Sequence, residues 1–250
     1  MKKNDRMSKI VEIVNREGTV SVNLLIEKLN VSDMTIRRDL KYLEELGELI
    51  RVHGGAKSHT PQLFNELTHG EKHQKNYIEK QFIAQKAANL IKEGDSIFLG
   101  PGTSVKILAL AISNNRLQVV TNCLPIFNIL YKKRSDTFKV ILLGGEMRER
   151  TKAFVGEMTN ELLLQFNFSK MFFSCNGIKK NKVLTSDYSE AQTQKIAMKC
   201  SNKVYLLADS SKFGKEDFTS ICDISDLSSI ITDEISTDNQ VENDFKTEVH

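Results

Sequence analysis

Three short segments near the start of the chain carry apolar residues at helical spacing. Residues 6–17, residues 22–29 and the segment that begins at Ser32 each place apolar side chains three and four positions apart. This spacing puts the apolar side chains on one face and predicts three amphipathic helices. Ser32 is a good N-cap for the third helix, because its hydroxyl can accept a backbone N–H. The apolar residues of the three faces are Met7, Ile10, Val11 and Val14; Leu24, Leu25 and Leu29; and Ile36, Leu40, Leu43 and Leu46.

The sequence after the third helix predicts a β-hairpin. Gly47 is placed to end the helix, and the following "ELIRVHGGA" joins a β-prone run to a pair of glycines that favours a turn. Three helices followed by a hairpin are the pattern of a winged helix-turn-helix. We therefore predict that residues 1–57 form a winged helix-turn-helix DNA-binding domain.

The outward face of the third helix points to DNA as its partner. Small polar groups and adjacent arginines on the first turns benefit a helix that enters a groove, where arginine can bind phosphate or the O6 and N7 atoms of guanine. The hairpin would form the wing beside it. A merely solvated helix face is the alternative, and the order of the elements favours DNA binding. The candidate DNA-binding residues are Ser32, Asp33, Met34, Thr35, Arg37, Arg38, Lys41, Arg51 and His53.

Beyond residue 57 the pattern changes twice. Residues 58–75 are polar, contain a proline and predict a linker. An amphipathic helix over 76–92, with Ile83, Ala84, Ala87 and Leu90 inward, then precedes β-prone runs that alternate with helix-like segments. This alternation predicts a parallel α/β sheet with crossover helices over residues 76–234, and the acidic residues 235–250 predict a solvated tail. The six β-prone runs are 96–99, 117–121, 139–143, 170–174, 203–207 and 228–232.

Polar loops follow five of these predicted strands. In an open α/β sheet, ligands bind at the carboxyl ends of the strands. The first loop, "GPGTSVKILA", places a glycine and two hydroxyls at the start of a helix, which is a suitable site for a phosphate. Together the loops predict a binding site for a small, polyhydroxylated, phosphorylated ligand. The candidate effector-binding residues are Gly102, Thr103, Ser104, Thr121, Asn122, Gly144, Gly145, Asn176, Gly177, Asp187, Glu190 and Lys212.

Each of these signals has a structural alternative. A glycine pair after a strand is often only a turn, and Asp187 and Glu190 could equally cap a helix and occupy its first turn. Cys175 is a packing residue more often than a nucleophile. The "GPGTS" loop lacks the lysine of a P-loop and the chain lacks a GxGxxG pattern, so nucleotide binding is not indicated.

Composition narrows the class of protein. The chain has 250 residues, 40% hydrophobic and 27% charged, with a net charge of +3 that is too small to prove a nucleic-acid partner. No apolar run approaches the roughly 20 residues of a membrane span, and the N-terminal stretch does not resemble a signal peptide. The four cysteines show neither CxxC spacing nor a histidine partner. We expect a cytoplasmic protein with reduced thiols, no metal and no cofactor.

The motifs resemble those of the DeoR family of bacterial repressors. "SDMTIRRDLKYLEELGELIRVHGGA" is similar to the family's DNA-binding signature, and "LLGGEMRERTKAFVG" and "LLADSSKFGKEDFTS" are similar to segments of its sensor domain. "FLGPGT", "VVTNCLP" and "KMFFS" look most like the group that represses lactose phosphotransferase systems. The resemblance covers nearly the whole chain except the acidic tail.

The resemblance implies a function. It implies a sensor domain that resembles ribose-5-phosphate isomerase and binds a sugar phosphate, which releases the repressor from its operator. For the lactose group it implies control of lactose and galactose use through the tagatose 6-phosphate pathway, with galactose 6-phosphate or tagatose 6-phosphate as the effector. Carried over by position, residues 20–39 read DNA, Gly102 to Ser104 form the phosphate loop, and Lys212 lies in the "DSSKFG" match. Cys175 stands where the family commonly has glycine or alanine.

Two other functions are compatible with the sequence. The first is a sugar-phosphate isomerase with an accessory DNA-binding domain, although no carboxylate is singled out as its base. The second is an activator of transcription, because the sign of regulation depends on where the operator lies. A homo-oligomer, either a dimer or a tetramer, is expected because two-fold operators suit paired recognition helices.

Overall fold

The computed structural model describes residues 3–17, 19–58 and 76–233. The chain divides into two compact units, Met1–Leu67 and Thr68–His250. The predicted linker lies outside the described residues except for Ser58, and the predicted tail 235–250 lies outside them entirely. The exact domain boundaries therefore stay predictions. No helix among the described residues is both long enough and apolar enough to cross a membrane.

The first unit is a winged helix-turn-helix, as predicted. Its helices are α1 (Lys3–Glu17), α2 (Val22–Leu29) and α3 (Asp33–Glu45), and its strands are β1 (Thr19–Ser21), β2 (Ile50–Val52) and β3 (Gly55–Lys57). The antiparallel strands lie in the order β1-β3-β2, so the short link between the first two helices completes the sheet of the wing. Its core is formed by Ile10, Ile13, Val14, Val20, Val22, Leu25, Ile36, Leu40, Leu43, Leu49 and Ala56.

The two ends of α3 correct two details of the sequence interpretation. Ser32 is at the N-cap position, but its hydroxyl lies 2.9 Å from the Thr35 hydroxyl and makes no capping bond to a backbone N–H. At the other end, the N–H groups of Gly47 and Glu48 donate to carbonyls of the last turn, and Gly47 has a positive φ of 74°. Leu46 was predicted to be a core residue, which is wrong: it is 56% exposed, because it caps α3 beyond the last buried turn.

A buried ion pair joins α1 to α3. The Asp39 side chain is fully buried, and Arg6 donates to it from Nε over 2.6 Å and from Nη2 over 3.3 Å. These hydrogen bonds raise the pKa of the Arg6 guanidinium. Burying a charge is costly unless it is paired and hydrogen bonded, so the two residues depend on each other. Sequence periodicity did not indicate this pair.

The second unit is built on a parallel sheet of six strands, which confirms the predicted α/β class. The strands lie in the order β14-β12-β9-β4-β5-β6 and all pair in parallel. The strands of this sheet are β4 (Ser96–Leu99), β5 (Leu117–Thr121), β6 (Phe138–Leu142), β9 (Lys170–Ser174), β12 (Val204–Leu207) and β14 (Ser229–Ile231); the helices are α4 (Tyr77–Asn89), α5 (Thr103–Ala111), α6 (Leu124–Leu130), α7 (Glu157–Leu163) and α8 (Tyr188–Lys199).

Both faces of the large sheet are buried. Ile97 and Leu99 of β4 belong to one apolar cluster together with α4 and α5, whereas Phe98 between them belongs to a second cluster that includes Ala191 of α8. A parallel strand buried on both faces reads as a continuous apolar run, which is why all six strands could be found in the sequence.

Two smaller elements were not predicted. The strands β7 (Glu146–Arg148) and β8 (Ala153–Val155) form an antiparallel ribbon after β6. The strands β10 (Gly177–Lys179), β11 (Lys182–Thr185) and β13 (Thr219–Asp223) form an antiparallel sheet of three strands. These additions lie between the strands of the large sheet in the sequence, and they follow the carboxyl ends of β6, β9 and β12.

An ion pair anchors the amino ends of the two central strands. Asp95, just before β4, accepts hydrogen bonds from Lys170 Nζ at the start of β9, from the Ser169 hydroxyl over 3.0 Å and from the Lys92 N–H over 2.7 Å. Burial alone would raise the pKa of Asp95, but these hydrogen bonds and the charge of Lys170 outweigh it and lower the pKa. The pair therefore stabilises the fold while the carboxylate is ionised.

Candidate DNA-binding surface and effector site

The outward face of α3 carries the residues that the sequence assigned to it. Met34 is 80% exposed, Arg38 and Lys41 are exposed, and Thr35 at the flank is partly buried. The opposite face is buried through Ile36, Leu40 and Leu43. A side chain that protrudes without contributing to the core can contact a groove without cost to the fold.

Two of the candidate DNA-binding arginines are paired with acids in this structure. Arg37 Nε lies 2.6 Å from Asp33 Oδ1 one turn earlier, and this hydrogen bond raises the pKa of the Arg37 guanidinium. Arg51 of the wing donates its N–H to Glu44 Oε1 over 3.0 Å, and its guanidinium lies 3.8 Å from the same carboxylate. These exposed pairs are weak, so they can open or reorient when a phosphate competes for the arginine.

A cleft separates the middle of α3 from the wing. It has a volume of about 370 Å³ and brings together Arg37 from the helix with Arg51 and His53 from the hairpin. Its walls are otherwise formed by Val22, Leu40, Val52, Gly54 and Gly55. Three of the residues predicted to contact DNA from two separate elements thus share one concave surface.

The loop after β4 leads into α5 through a glycine whose backbone conformation other residues rarely adopt. Gly102 is the N-cap residue, with φ 138° and ψ 152°, and a Cβ added to it would lie 2.8 Å from the Cβ of Ser174 at the end of β9. Only glycine fits both the conformation and the space. Thr103 and Ser104 form the first turn of α5 and are 7% and 2% exposed. This predicted phosphate loop therefore packs directly against the end of the neighbouring strand.

A charged cluster follows β12. The Asp209 side chain accepts hydrogen bonds from Asn76 Nδ2 over 2.8 Å and from the Ser211 N–H over 3.2 Å. Burial would raise the pKa of Asp209, but hydrogen bonds from the Ser211 hydroxyl and from Asn76, with the charges of Lys212 and Lys80, together lower it. Lys80 belongs to α4 and is only 3% exposed.

Lys212 lies at the same edge of the sheet as the phosphate loop, two strands away. It lies in a short 3-10 helix after β12, and its charge acts on Cys175 at the end of β9 as well as on Asp209. Because β9 lies between β12 and β4, the carboxyl ends of β12 and β4 are about 10 Å apart. A ligand that touched both loops would therefore lie across the carboxyl end of β9.

The two predicted residues after β5 have different roles. The Thr121 hydroxyl donates to the Leu99 carbonyl over 2.7 Å and accepts the Cys123 N–H over 3.1 Å, so it is occupied within the fold. Asn122 donates from Nδ2 to the Phe154 carbonyl of β8 over 2.8 Å, while its buried Oδ1 has no partner among the described residues. Asn122 therefore both ties the ribbon to the sheet and keeps an acceptor available.

Packing explains the predicted glycine pair after β6. The Thr159 hydroxyl of α7 donates to the Gly144 carbonyl over 2.8 Å, and a Cβ added to Gly145 would lie 2.1 Å from that hydroxyl oxygen. After β9, Asn176 donates its N–H to the Leu184 carbonyl and its side chain to the Ser186 hydroxyl. Gly177 begins β10 and packs against the Lys215 carbonyl.

Arg148 forms ion pairs with the two carboxylates of α8 that were predicted to bind the effector. Its Nε lies 3.2 Å from Asp187 Oδ2 and its Nη1 lies 3.4 Å from Glu190 Oε1, and the Thr151 hydroxyl also donates to Glu190. Asp187 is the N-cap of α8 as well, accepting the Glu190 N–H over 2.9 Å. Both carboxylates thus hold the β7–β8 ribbon against α8, a structural role that the sequence interpretation had left open as an alternative.

The described residues at this edge include groups that can bind a phosphate or a sugar hydroxyl. Burial raises the pKa of the Cys175 thiol to about 12, so it is protonated at neutral pH and a poor nucleophile. Across the ranges that the structure describes, no group of three or more His, Cys, Asp or Glu side chains could hold a metal ion. What the edge offers is a helix N-terminus, cationic lysines and hydrogen-bonding polar groups.

Four residues at this edge were missed as candidates from the sequence. Asn76 is the N-cap residue of α4 and Lys80 lies on its first turn, Arg148 lies on the ribbon, and Gln194 lies on α8, where it is 3% exposed. Polar residues at inward positions of amphipathic helices are the only sequence signal for Lys80 and Gln194. Nothing in the sequence indicated the partners of Arg148.

Comparisons with known proteins agree for both units. A model of the DeoR-like helix-turn-helix domain matches residues 6–62, and a model of the DeoR C-terminal sensor domain matches residues 75–234. Lactose phosphotransferase system repressors of Streptococcus mutans serotype c and Staphylococcus epidermidis are each 54% identical to the chain over 233 residues, covering 93% of both proteins. A repressor of the same name from Staphylococcus aureus is 49% identical over the same length.

Solved structures share parts of the fold at low identity. Ribose 5-phosphate isomerase A of Methanocaldococcus jannaschii has a TM-score of 0.40 and 15% identity, covering 56% of this chain and 55% of its own. The eIF2B delta subunit of Chaetomium thermophilum has a TM-score of 0.47 and 16% identity, covering 82% of this chain and 65% of its own. Values this low carry no inference about ligand or activity. On the match of both domain models and the identity to repressors along nearly its whole length, the chain belongs to the DeoR family.

Proposed function

We infer that this protein is a DNA-binding transcriptional repressor of a lactose or galactose catabolic operon. The observation that carries the inference is 54% identity over 93% of the chain to proteins named lactose phosphotransferase system repressors. The winged helix-turn-helix with an exposed α3 face supplies the means of binding an operator. Because the relatives are named as repressors, we infer repression rather than activation, and binding rather than isomerisation.

The proposed operator contacts come from α3 and the wing. Arg38 and Lys41 extend from the exposed face of α3 into the major groove, with Met34 and the hydroxyls of Ser32 and Thr35 on its first turn. Arg37, Arg51 and His53 surround the cleft beside the wing, where a phosphate of the DNA backbone would displace Asp33 and Glu44 from the two arginines. Phosphate contacts position the protein, and base contacts specify the sequence.

The proposed effector is a sugar phosphate, such as galactose 6-phosphate or tagatose 6-phosphate. Its phosphate would receive the N–H groups at the start of α5 with the Thr103 and Ser104 hydroxyls, and the Lys212 ammonium from the far side of β9. Its hydroxyls would face the loops after β5 and β9, including Asn122 and Asn176. The effector releases DNA only through a higher affinity for the DNA-free state.

The remaining parts of the proposal concern assembly and location. We propose a dimer or tetramer, because a two-fold operator is read by two recognition helices. We also propose that residues 58–75 connect the DNA-binding domain to the sensor, and that the protein acts in the cytoplasm, where its DNA and a phosphorylated sugar occur together.

A release assay tests this function. Operator DNA from the control region of the lactose genes is labelled, bound by the protein and titrated with each sugar phosphate while fluorescence anisotropy is followed. Replacing Lys212 with alanine should leave operator affinity unchanged but weaken effector binding by about 1.5–3 kcal/mol, because one charge-assisted contact is lost.

The matched control is Lys199→Ala, which removes an exposed lysine at the end of α8. This control should respond to the effector like the parent protein. Release of Lys212→Ala at the parent's effector concentration would show that the proposed phosphate site is wrong. Failure of the parent to bind the operator would refute the repressor function itself.

A further inference from the structure

Three buried side-chain oxygens in the described part of the chain have no hydrogen-bond partner. They are Asn122 Oδ1, Gln194 Oε1 and Asp209 Oδ2, and each belongs to a residue that is at most 3% exposed. Buried polar atoms are almost always hydrogen bonded, so each exception needs a physical explanation. All three atoms are acceptors, and the group that completes them must therefore be a donor.

These three atoms lie at the same edge of the large sheet. Asn122 follows β5 and Asp209 follows β12. Gln194 reaches the edge from α8: a Cβ added to Gly100, directly after β4, would lie 2.8 Å from Gln194 Oε1 and 2.9 Å from its Nε2. The amide of Gln194 is thus in contact with the loop that leads into α5, the proposed phosphate loop.

Gln194 is the least explained of the three. Asp209 is already held by Asn76 and Ser211, and Asn122 ties the ribbon through its Nδ2. Packing alone would favour methionine or leucine at position 194, because an apolar side chain of similar size leaves no amide oxygen unpaired. Local costs of this kind are typical of functional positions.

We propose that Gln194 determines ligand specificity, by accepting a hydrogen bond from a hydroxyl of the bound sugar phosphate, with Asn122 Oδ1 accepting from a second hydroxyl. The proposal rests on the proposed function and assigns a part of the ligand that the phosphate loop does not recognise. The two amide oxygens accept from sugar hydroxyls, whereas the ionised oxygens of a phosphate offer them no donor, so the two atoms recognise the polyol part of the ligand. A sugar that lacks the recognised hydroxyl leaves the amide oxygen unpaired, and its affinity is therefore lower.

The test is a Gln194→Met substitution in the full chain. Dissociation constants for galactose 6-phosphate, tagatose 6-phosphate and inorganic phosphate are measured by calorimetry and ligand-induced shifts of the melting temperature. We expect at least about a tenfold rise for the preferred sugar phosphate, no change for inorganic phosphate, and a melting temperature without ligand that is equal or higher. Gln192→Met is the control, because Gln192 is half-buried on the same helix and should leave all values unchanged.

A second measurement needs no variant. The parent protein should bind at least one monodeoxy analogue of its preferred sugar phosphate at least about tenfold more weakly, and Gln194→Met should lose that discrimination.

Parent-like sugar-phosphate affinity of Gln194→Met overturns the proposal. So does equal weakening of sugar phosphate and inorganic phosphate together with a lower melting temperature, which would assign Gln194 to the fold. A parent that binds every monodeoxy analogue as tightly as the sugar overturns it as well. Failure of the proposed function gives a different result. In that case the parent protein itself binds none of the sugar phosphates, and the specificity assignment fails with it.

Discussion

Removing Asp39 should unfold the DNA-binding unit while leaving the sensor unit intact. In Asp39→Ala the Arg6 guanidinium, whose side chain is only 10% exposed, loses the carboxylate that it contacts through two nitrogens. Deleting one partner of a buried pair costs about 3–5 kcal/mol, because the other charge stays buried without compensation.

That loss is large for a small unit. Native domains have about 0.05–0.15 kcal/mol of stability per residue, so the segment Met1–Leu67 would have about 3–10 kcal/mol in all. We therefore expect Asp39→Ala to unfold the DNA-binding unit near or below physiological temperature. Operator binding should then be lost, although Asp39 is fully buried and cannot touch DNA.

Two further variants test whether the loss of stability comes from the burial of the charge or from the loss of any ion pair. Asp33→Ala removes a carboxylate from the same helix, but its pair with Arg37 is more than half exposed on both sides and should contribute little to the melting temperature. The double variant Arg6→Met with Asp39→Leu replaces the pair by apolar side chains and should recover most of the stability, since no buried charge remains.

Differential scanning calorimetry of the full chain is the assay, with operator anisotropy and sugar-phosphate binding measured on the same samples. The expected result is a shifted or missing transition for the DNA-binding unit beside an unchanged one for the sensor. A change below about 1 kcal/mol in Asp39→Ala would refute the reasoning, because it would mean that the pair is solvated and not buried.

Three other predictions follow from exposure and pKa. Arg38→Ala should weaken operator binding by about 1–3 kcal/mol at an unchanged melting temperature, and an unchanged affinity would contradict the recognition-helix assignment. The pKa of Asp95 is lowered in the fold, so its carboxylate stabilises the protein above roughly pH 4, and this contribution is lost as the pH falls through the folded pKa. Asp95→Asn should therefore be less stable at neutral pH, with a flatter stability profile under acid in urea titrations. Native protein should react slowly with a thiol reagent at pH 8, and all four cysteines quickly in denaturant, because burial raises the pKa to about 12 for Cys123, Cys175 and Cys222.

Periodicity was sufficient for most of the architecture. The six strands of the large sheet are buried on both faces, and the helices of the DNA-binding unit have a single apolar face, so both leave clear patterns in the sequence. The strands of the β7–β8 ribbon have three residues each, too few for a period to be recognised. Leu46 shows a further limit of periodicity. It continues the spacing of apolar residues along α3, but it lies beyond the last residue of the helix and its side chain is exposed.

The candidate site was only partly accessible from sequence. The loops after parallel strands converge on one edge by topology, which made Gly102, Thr103 and Lys212 predictable candidates. Contacts between distant segments were not accessible in this way, because nothing local links Arg148 to Glu190 or Asn76 to Asp209. Burial of Lys80 and Gln194 depends on the helix neighbours that the fold brings together.

The strand order has a consequence for how the protein is made. The central strands β4 and β9 pair Ile97 with Lys170, so the middle of the sheet cannot form until a long stretch of chain has been synthesised. The contacts of the winged helix-turn-helix are local by comparison, and local contacts form faster. At about 5–20 residues per second, the ribosome would complete the DNA-binding unit roughly ten seconds or more before the sensor strands are all available. During that interval a nascent chain would have a folded DNA reader and no functioning switch. If tight operator binding requires an assembled sensor, these incomplete chains cannot repress the operon while they are unable to respond to the effector.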